Sequence, residues 1–216
     1  MSKIFYFMGK SASGKDTIFK QIKERMPDLK TIVIYTTRPI REGEQEGVEY
    51  YFVDEKRLAE FEAQGKVIEL RAYNTVHGVW KYFTVDDGQF DGDENYIAIG
   101  TLESYAKMLA YMGAGSLVPI YIDVDDGVRL LRAVERERKQ KEPKYEELCR
   151  RFLADAEDFS EENLQRMGIT HHYFNDNMEN CIQEIMLCIH QEIWHNFLDA
   201  VFHIVIEIMV SYPHSL

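Results

Sequence analysis

The run Gly9-Lys10-Ser11-Ala12-Ser13-Gly14-Lys15-Asp16-Thr17 constrains this chain more than any other feature. It follows an apolar stretch, Ile4-Phe5-Tyr6-Phe7-Met8, that reads as a buried strand, and it opens a helical pattern from Lys15 to about Met26. A strand feeding a glycine-bounded loop and then a helix is the context in which G-x-x-x-x-G-K becomes an anion cradle. Successive backbone N–H groups point into such a loop, and the helix start adds unpaired donors and a partial positive charge. Gly9, Ser11, Ala12, Ser13, Gly14, Lys15, Asp16 and Thr17 are therefore expected around a phosphate, with Lys15 as the mobile full charge. A hydroxyl residue usually follows the lysine and binds Mg²⁺; here Asp16 stands there, with Thr17 next. A carboxylate also suits Mg²⁺ but adds negative charge beside the phosphates, so Asp16 is the expected metal contact in an altered shell.

The rest of the chain alternates. Pro27 stops the first helix, and Thr31-Ile32-Val33-Ile34-Tyr35 reads as a second strand. Thr36 to Glu44 is polar and turn-rich, Val48 to Val53 reads as a strand, and Asp54 caps a short helix from Glu55 to Gln64. Val67 to Tyr73 and Val79 to Val85 are strand-like. Core strands are expected at 95–99 and 117–124, with a helix capped by Thr101 between them. A charged helical region, 126–165, is interrupted at Pro143 and holds the one basic concentration, Arg129 to Arg151. A short strand, His172-Tyr173-Phe174, precedes an amphipathic helix from Met178 to Trp194, and 196–216 forms an appendage. Strands at 3–8, 31–35, 95–99, 117–124 and 171–174 predict a parallel sheet covered on both faces, with sites at the carboxyl ends of the strands.

Composition narrows the function. In 216 residues the formal net charge is −12, which argues against non-specific nucleic-acid binding. Cys149, Cys181 and Cys188 are an odd count without C-x-x-C spacing, which suits a reducing cytoplasm. Cys181 and Cys188, seven apart on a helical pattern, are expected to face the core. No signal peptide is read at the start, and Phe197 to Met209 is too short and too charged to span a bilayer.

Phosphoryl transfer asks a protein for positioning, water exclusion and charge neutralisation. A kinase acting on a phosphorylated acceptor needs two facing anion sites. Lys15 and its loop supply one; Arg38 and Arg41, with forked donors, supply the other, and the Tyr50 hydroxyl donates to the same phosphate. The basic helical region can close over them as a lid.

These motifs reach a resemblance. Gly9 to Thr17, Thr36-Thr37-Arg38-x-x-Arg41-x-Gly43-Glu44, Gly47-Val48-Glu49-Tyr50-x-Phe52-Val53 and Val67-Ile68-Glu69, with the Asn175-Asp176 turn, resemble guanylate kinase, as a divergent bacterial-type member. The resemblance implies an α/β fold: a parallel-sheet P-loop NTPase core wrapped by helices, with an inserted mixed α/β acceptor-binding subdomain and a helical lid. It places the core at 1–34, 86–125 and 156–195, the acceptor subdomain at 35–85, the lid at 126–155 and the appendage at 196–216. It implies Mg²⁺-assisted transfer from ATP to GMP. Lys15 holds the outer phosphates and Asn175 lies near the adenine. Arg38, Arg41, Tyr50, Glu69, His77 and Thr101 fall to the acceptor, and Arg132, Arg136 and Arg151 are the lid arginines. The Glu69 oxygens suit guanine, whose N1–H and N2–H are donors. The implied partners are the two nucleotides, with no nucleic acid or membrane.

Departures from the family pattern are specific. Tyr35 stands where serine is usual, and Thr75-Val76-His77-Gly78-Val79 replaces an Asn-Tyr-Tyr-Gly turn followed by a small hydroxyl residue. Ile99-Gly100-Thr101-Leu102-Glu103 replaces Asp-Val-x-Gly, losing a carboxylate there while Asp16 adds one. Two alternatives stay open: a P-loop kinase of another nucleotide or small anion, and a non-catalytic guanylate-kinase-like binding module. The appendage, with Leu198, Val201, Phe202, Val205, Ile208 and Met209 near helical spacing, either packs on the core, the favoured reading, or pairs with a second copy as a homodimer.

Overall fold

All five side chains of Ile4–Met8 (β1) are buried, because the strand is apolar at consecutive rather than alternate positions. The computed structural model describes residues 2–75, 78–90, 92–113 and 115–211, with backbone alone for 75 and 199–211. After the phosphate loop, Lys15–Arg25 (α1) leads to Lys30–Thr31 (β2). The chain then passes through Tyr35–Thr36 (β3), Tyr51–Phe52 (β4), Glu55–Ala63 (α2) and a long hairpin, Val67–Thr75 (β5) with Gly78–Val85 (β6). Tyr96–Ile99 (β7), Leu102–Met112 (α3) and Leu117–Asp123 (β8) follow. Asp126–Arg138 (α4), Tyr145–Asp158 (α5), Glu161–Arg166 (α6), Tyr173–Phe174 (β9) and Met178–Ser211 (α7) complete it.

Two sheets result. The first has the order β2-β7-β1-β8-β9 and is parallel throughout, with β1 central. Successive β1 side chains go to opposite faces. Phe5 and Phe7 join Ile18 and Ile22 of α1 and Ile182, Ile185 and Ile189 of α7; Ile4, Tyr6 and Met8 join Leu102, Tyr105 and Met108 of α3. The second sheet, β4-β3-β6-β5, encloses a smaller core of Tyr35, Leu58, Phe61, Phe83 and Val85.

The expected strand 31–35 is not one strand. Thr31 pairs with β7 in the first sheet, whereas Tyr35 pairs with Tyr51 and Phe83 in the second. Residues 32–34 carry the chain between the sheets, so a uniformly β-branched run conceals a crossing. The strand expected over 48–53 shortens to Tyr51–Phe52. The appendage is no separate unit, because α7 runs unbroken to Ser211. Its packing on the core does not extend past Ile193 among the described side chains, and Trp194, Phe197 and Leu198 are exposed. Cys181 is buried as expected and Cys188 partly so, and the three cysteines are free.

Candidate functional site

The loop after β1 takes its shape from two left-handed residues. Ala12 has φ 65°, and Gly14, at the start of α1, has φ 93°. A side chain at Gly14 would overlap the Asn175 amide, so glycine is required there twice over. Asn175 Nδ2 donates to the Ser13 carbonyl at 2.7 Å, and Arg132 Nη2 donates to the Asn175 carbonyl at 3.3 Å. Asn175 is thus buried beneath the loop as a brace, and its amide does not stand open to an adenine ring. Lys15 Nζ lies 3.1 Å from Asp16 Oδ2, and Asp16 and Thr17 are exposed in the first turn of α1.

A group missed by sequence reasoning closes this loop from the far side. Arg129, on α4, is 1% exposed. Its Nε donates to Asp126 at 3.0 Å, its Nη1 reaches Asp155 on α5 at 3.3 Å, and its guanidinium lies 4.0 Å from the Phe152 ring centroid. Asp155 also accepts from the Ser11 backbone N–H at 2.7 Å. The Asp126–Arg129 spacing was readable as an i,i+3 pair; its burial against a distant carboxylate was not. Beside it, a cavity of about 140 Å³ between α4 and α5 is lined by Arg136, Lys144 and Arg151, among others. Of the arginines expected in a lid, Arg136 and Arg151 share that cavity while Arg132 reaches toward the loop; Arg151 is exposed and paired with Glu147 at 2.7 Å.

The polar row of the second sheet begins at Arg38. It is buried, its Nη1 meets Glu44 at 2.7 Å, and its guanidinium lies 4.9 Å from the Tyr50 ring centroid and 5.3 Å from that of Phe52. The hydrogen bonds to Glu44 hold Arg38 above the ordinary arginine value. The same bonds hold the Glu44 carboxyl below the usual carboxylate range, with burial opposing. A depressed carboxyl adds stability that is present above its unfolded value, about 4.3, and is lost as pH falls through the folded one. Glu44→Gln should therefore flatten the stability–pH curve below about pH 4 in thermal melts. Arg41 is exposed, and its guanidinium lies 5.6 Å from the Trp80 ring centroid.

Burial, before any charge, raises the Tyr50 hydroxyl; Asp16 acts in the same direction, and Arg38 and Arg71 oppose. Tyr35 takes no part in the row: it sits in the second core and donates to Asp87 at 2.6 Å. Glu69 is buried, with its oxygens engaged by Arg71 and Thr84. Thr101 accepts from the Ser104 N–H at 3.2 Å while Ser104 Oγ accepts from the Thr101 N–H at 2.9 Å, so its hydroxyl is committed to capping α3. Thr101→Ala should cost about 1 kcal/mol in urea unfolding. At Gly100 an added Cβ would overlap the Tyr6 and Ser104 hydroxyls. His77 lies outside the described residues.

The donor set fits a Mg²⁺ shared with a bound phosphate better than a protein cage. Asp16 and Thr17 offer hard oxygens, and the described residues hold no cluster of three or more metal-ligating side chains.

Comparison with known proteins follows this geometry. The guanylate kinase family model matches residues 1–80. A guanylate kinase of Thermobifida fusca is 43% identical over 61 residues, 28% of this chain and 31% of that one. One from Synechococcus sp. is 26% identical over 195 residues, 85% of this chain and 80% of that one. The crystal structure of guanylate kinase from Anaplasma phagocytophilum superposes with a TM-score of 0.59 at 22% identity, covering 88% of this chain and 86% of that one. Against the relatives it matches at higher identity, the chain spans about a third of their length, 31% and 33%.

Proposed function

From a chain that has the guanylate kinase fold and resembles that family most strongly over residues 1–80, we propose an ATP-dependent phosphorylation of GMP to GDP. The observation that carries the reading is the buried Arg38 guanidinium beside Tyr50, whose Nε has no hydrogen-bond partner, in a chain that also holds the phosphate-type loop at Lys15. Nucleotides are its substrates in this reading, ATP as donor and GMP as acceptor.

The loop's N–H groups and Lys15 orient the ATP phosphates, and Gly14 lets the backbone approach them without a side chain in the way. Arg38, prefixed by Glu44 and stacked near Tyr50, presents the acceptor phosphate together with Arg41. Arg38 Nε is buried without a hydrogen-bond partner, a donor that an incoming phosphate oxygen would satisfy. Arg132, Arg136 and Arg151 lie on the helices 126–138 and 145–158, which close over the transferring group and exclude water. Mg²⁺, when bound at Asp16, would offset phosphate charge during transfer. The division into core, acceptor subdomain (35–85), lid (126–155) and C-terminal segment is part of the same proposal.

A nucleotide panel tests it: purified protein with ATP and Mg²⁺ should convert GMP to GDP, followed by a coupled assay for ADP. Turnover of a different acceptor alone, or of none by folded protein, would overturn it. Among the described residues no helix is long and apolar enough to cross a membrane, and the free cysteines suit the cytoplasm. The exposed Trp194, Phe197 and Leu198 favour a second copy over self-packing. Sedimentation showing only a 25.4 kDa species at micromolar concentration would remove that reading.

A further inference from the structure

Glu69 and Arg71 stand two apart on β5 and so on one face of the hairpin. Glu69 Oε2 accepts from Arg71 Nε at 2.9 Å. Glu69 Oε1 accepts from Arg71 Nη2 at 3.1 Å and, across the hairpin, from Thr84 Oγ1 at 2.9 Å. The Glu69 side chain is 0% exposed, whereas Arg71 keeps 8%. What little of the pair is exposed therefore belongs to Arg71 and not to the carboxylate. The pair also lies on the side of Arg38: Arg71 stands opposite Tyr82 in the hairpin, the Tyr82 ring centroid is 5.6 Å from that of Tyr50, and Arg38 lies 4.9 Å from the Tyr50 ring.

The chemistry of recognition changes with that exchange. A carboxylate accepts, and would read the N1–H and N2–H donors of guanine; a guanidinium only donates, and reads acceptors. On a purine those acceptors are O6 and N7, the pair an arginine fork fits. Arg71 directs two of its five N–H donors to Glu69, which fixes the plane of the guanidinium. Among the described residues, Gly100 has no side chain and the Thr101 hydroxyl accepts from the Ser104 N–H.

We propose that Arg71, oriented by Glu69, reads the acceptor base through O6 and N7, so that the site takes 6-oxopurine mononucleotides as a class and senses the 2-amino group weakly. This rests on the phosphotransfer reading above. Two bases of the class, guanine and hypoxanthine, differ only in that amino group; adenine presents a donor where Arg71 needs an acceptor.

The test compares GMP, IMP, AMP and 7-deaza-GMP as acceptors for the wild-type protein, then GMP, IMP and 7-deaza-GMP for Arg71→Ala. Expected for the wild type are kcat/KM values for GMP and IMP within about threefold, with AMP and 7-deaza-GMP lower by about tenfold or more, as for loss of part of a bidentate contact. Arg71→Ala should weaken both substrates about 10- to 100-fold and, by baring Glu69, raise the GMP:IMP ratio. A merely structural role for Arg71 would leave the preference for GMP over 7-deaza-GMP in the variant as it is in the wild type, whereas a reading role abolishes it. A wild-type preference for GMP over IMP above about threefold, or 7-deaza-GMP used as well as GMP, overturns this inference while the GMP reading stands. Turnover of no nucleotide by folded protein overturns both.

Discussion

Lys15→Ala should lower kcat for GMP phosphorylation about 10²- to 10³-fold, the usual consequence of deleting one preorganised donor to a developing anion. Lys15 is the only full positive charge between Ser11 and Thr17, and its Nζ is held within 3.1 Å of Asp16 rather than in the core. Its removal therefore costs charge at the phosphates and little packing. Thermal melts of the variant should match the wild type, which separates lost chemistry from lost fold. A variant that keeps more than about a tenth of wild-type kcat would show that the loop is not where the transferring phosphate sits.

Arg129→Ala should destabilise the protein by about 3 kcal/mol, because removing one partner of a buried pair leaves the other without compensation. Asp126 is half exposed and recovers water, but Asp155 is largely covered and loses Arg129 while still facing Ser11. The contact with the Phe152 ring goes as well. For a chain of this size the loss corresponds to a fall in Tm of about 6–12 °C. Arg129→Lys should restore only part of it, since an ammonium cannot span Asp126 and Asp155 as a planar fork does. Calorimetry of the two variants checks both statements; equal Tm values for wild type and Arg129→Ala would show that the two helices are not joined to the loop through this side chain.

The elements read correctly from sequence are those whose cause is local. Gly9 to Thr17 after five apolar residues gives strand, loop and helix, since turn, helix start and buried strand all lie within about twenty residues. Asp54 and Thr101 cap their helices because the side chain and the N–H it accepts are three positions apart. Pro143 falls between α4 and α5 for the same kind of reason.

What tertiary structure decided is which charge meets which. Thr31 and Tyr35 belong to different sheets because their partners, Ile97 and Phe83, are supplied by distant strands, and no local pattern marks the crossing. Glu69 looks in sequence like an open acceptor, yet Thr84, fifteen residues away, and Arg71 enclose it once the hairpin closes. Arg129 reads as one more solvated helix charge, yet Asp155 of α5 and the Phe152 ring bury it, and the same carboxylate reaches Ser11 across 144 positions. Local sequence sets backbone preference over a few residues; the burial of a charge depends on every element that arrives around it, and that is settled only when the chain has folded.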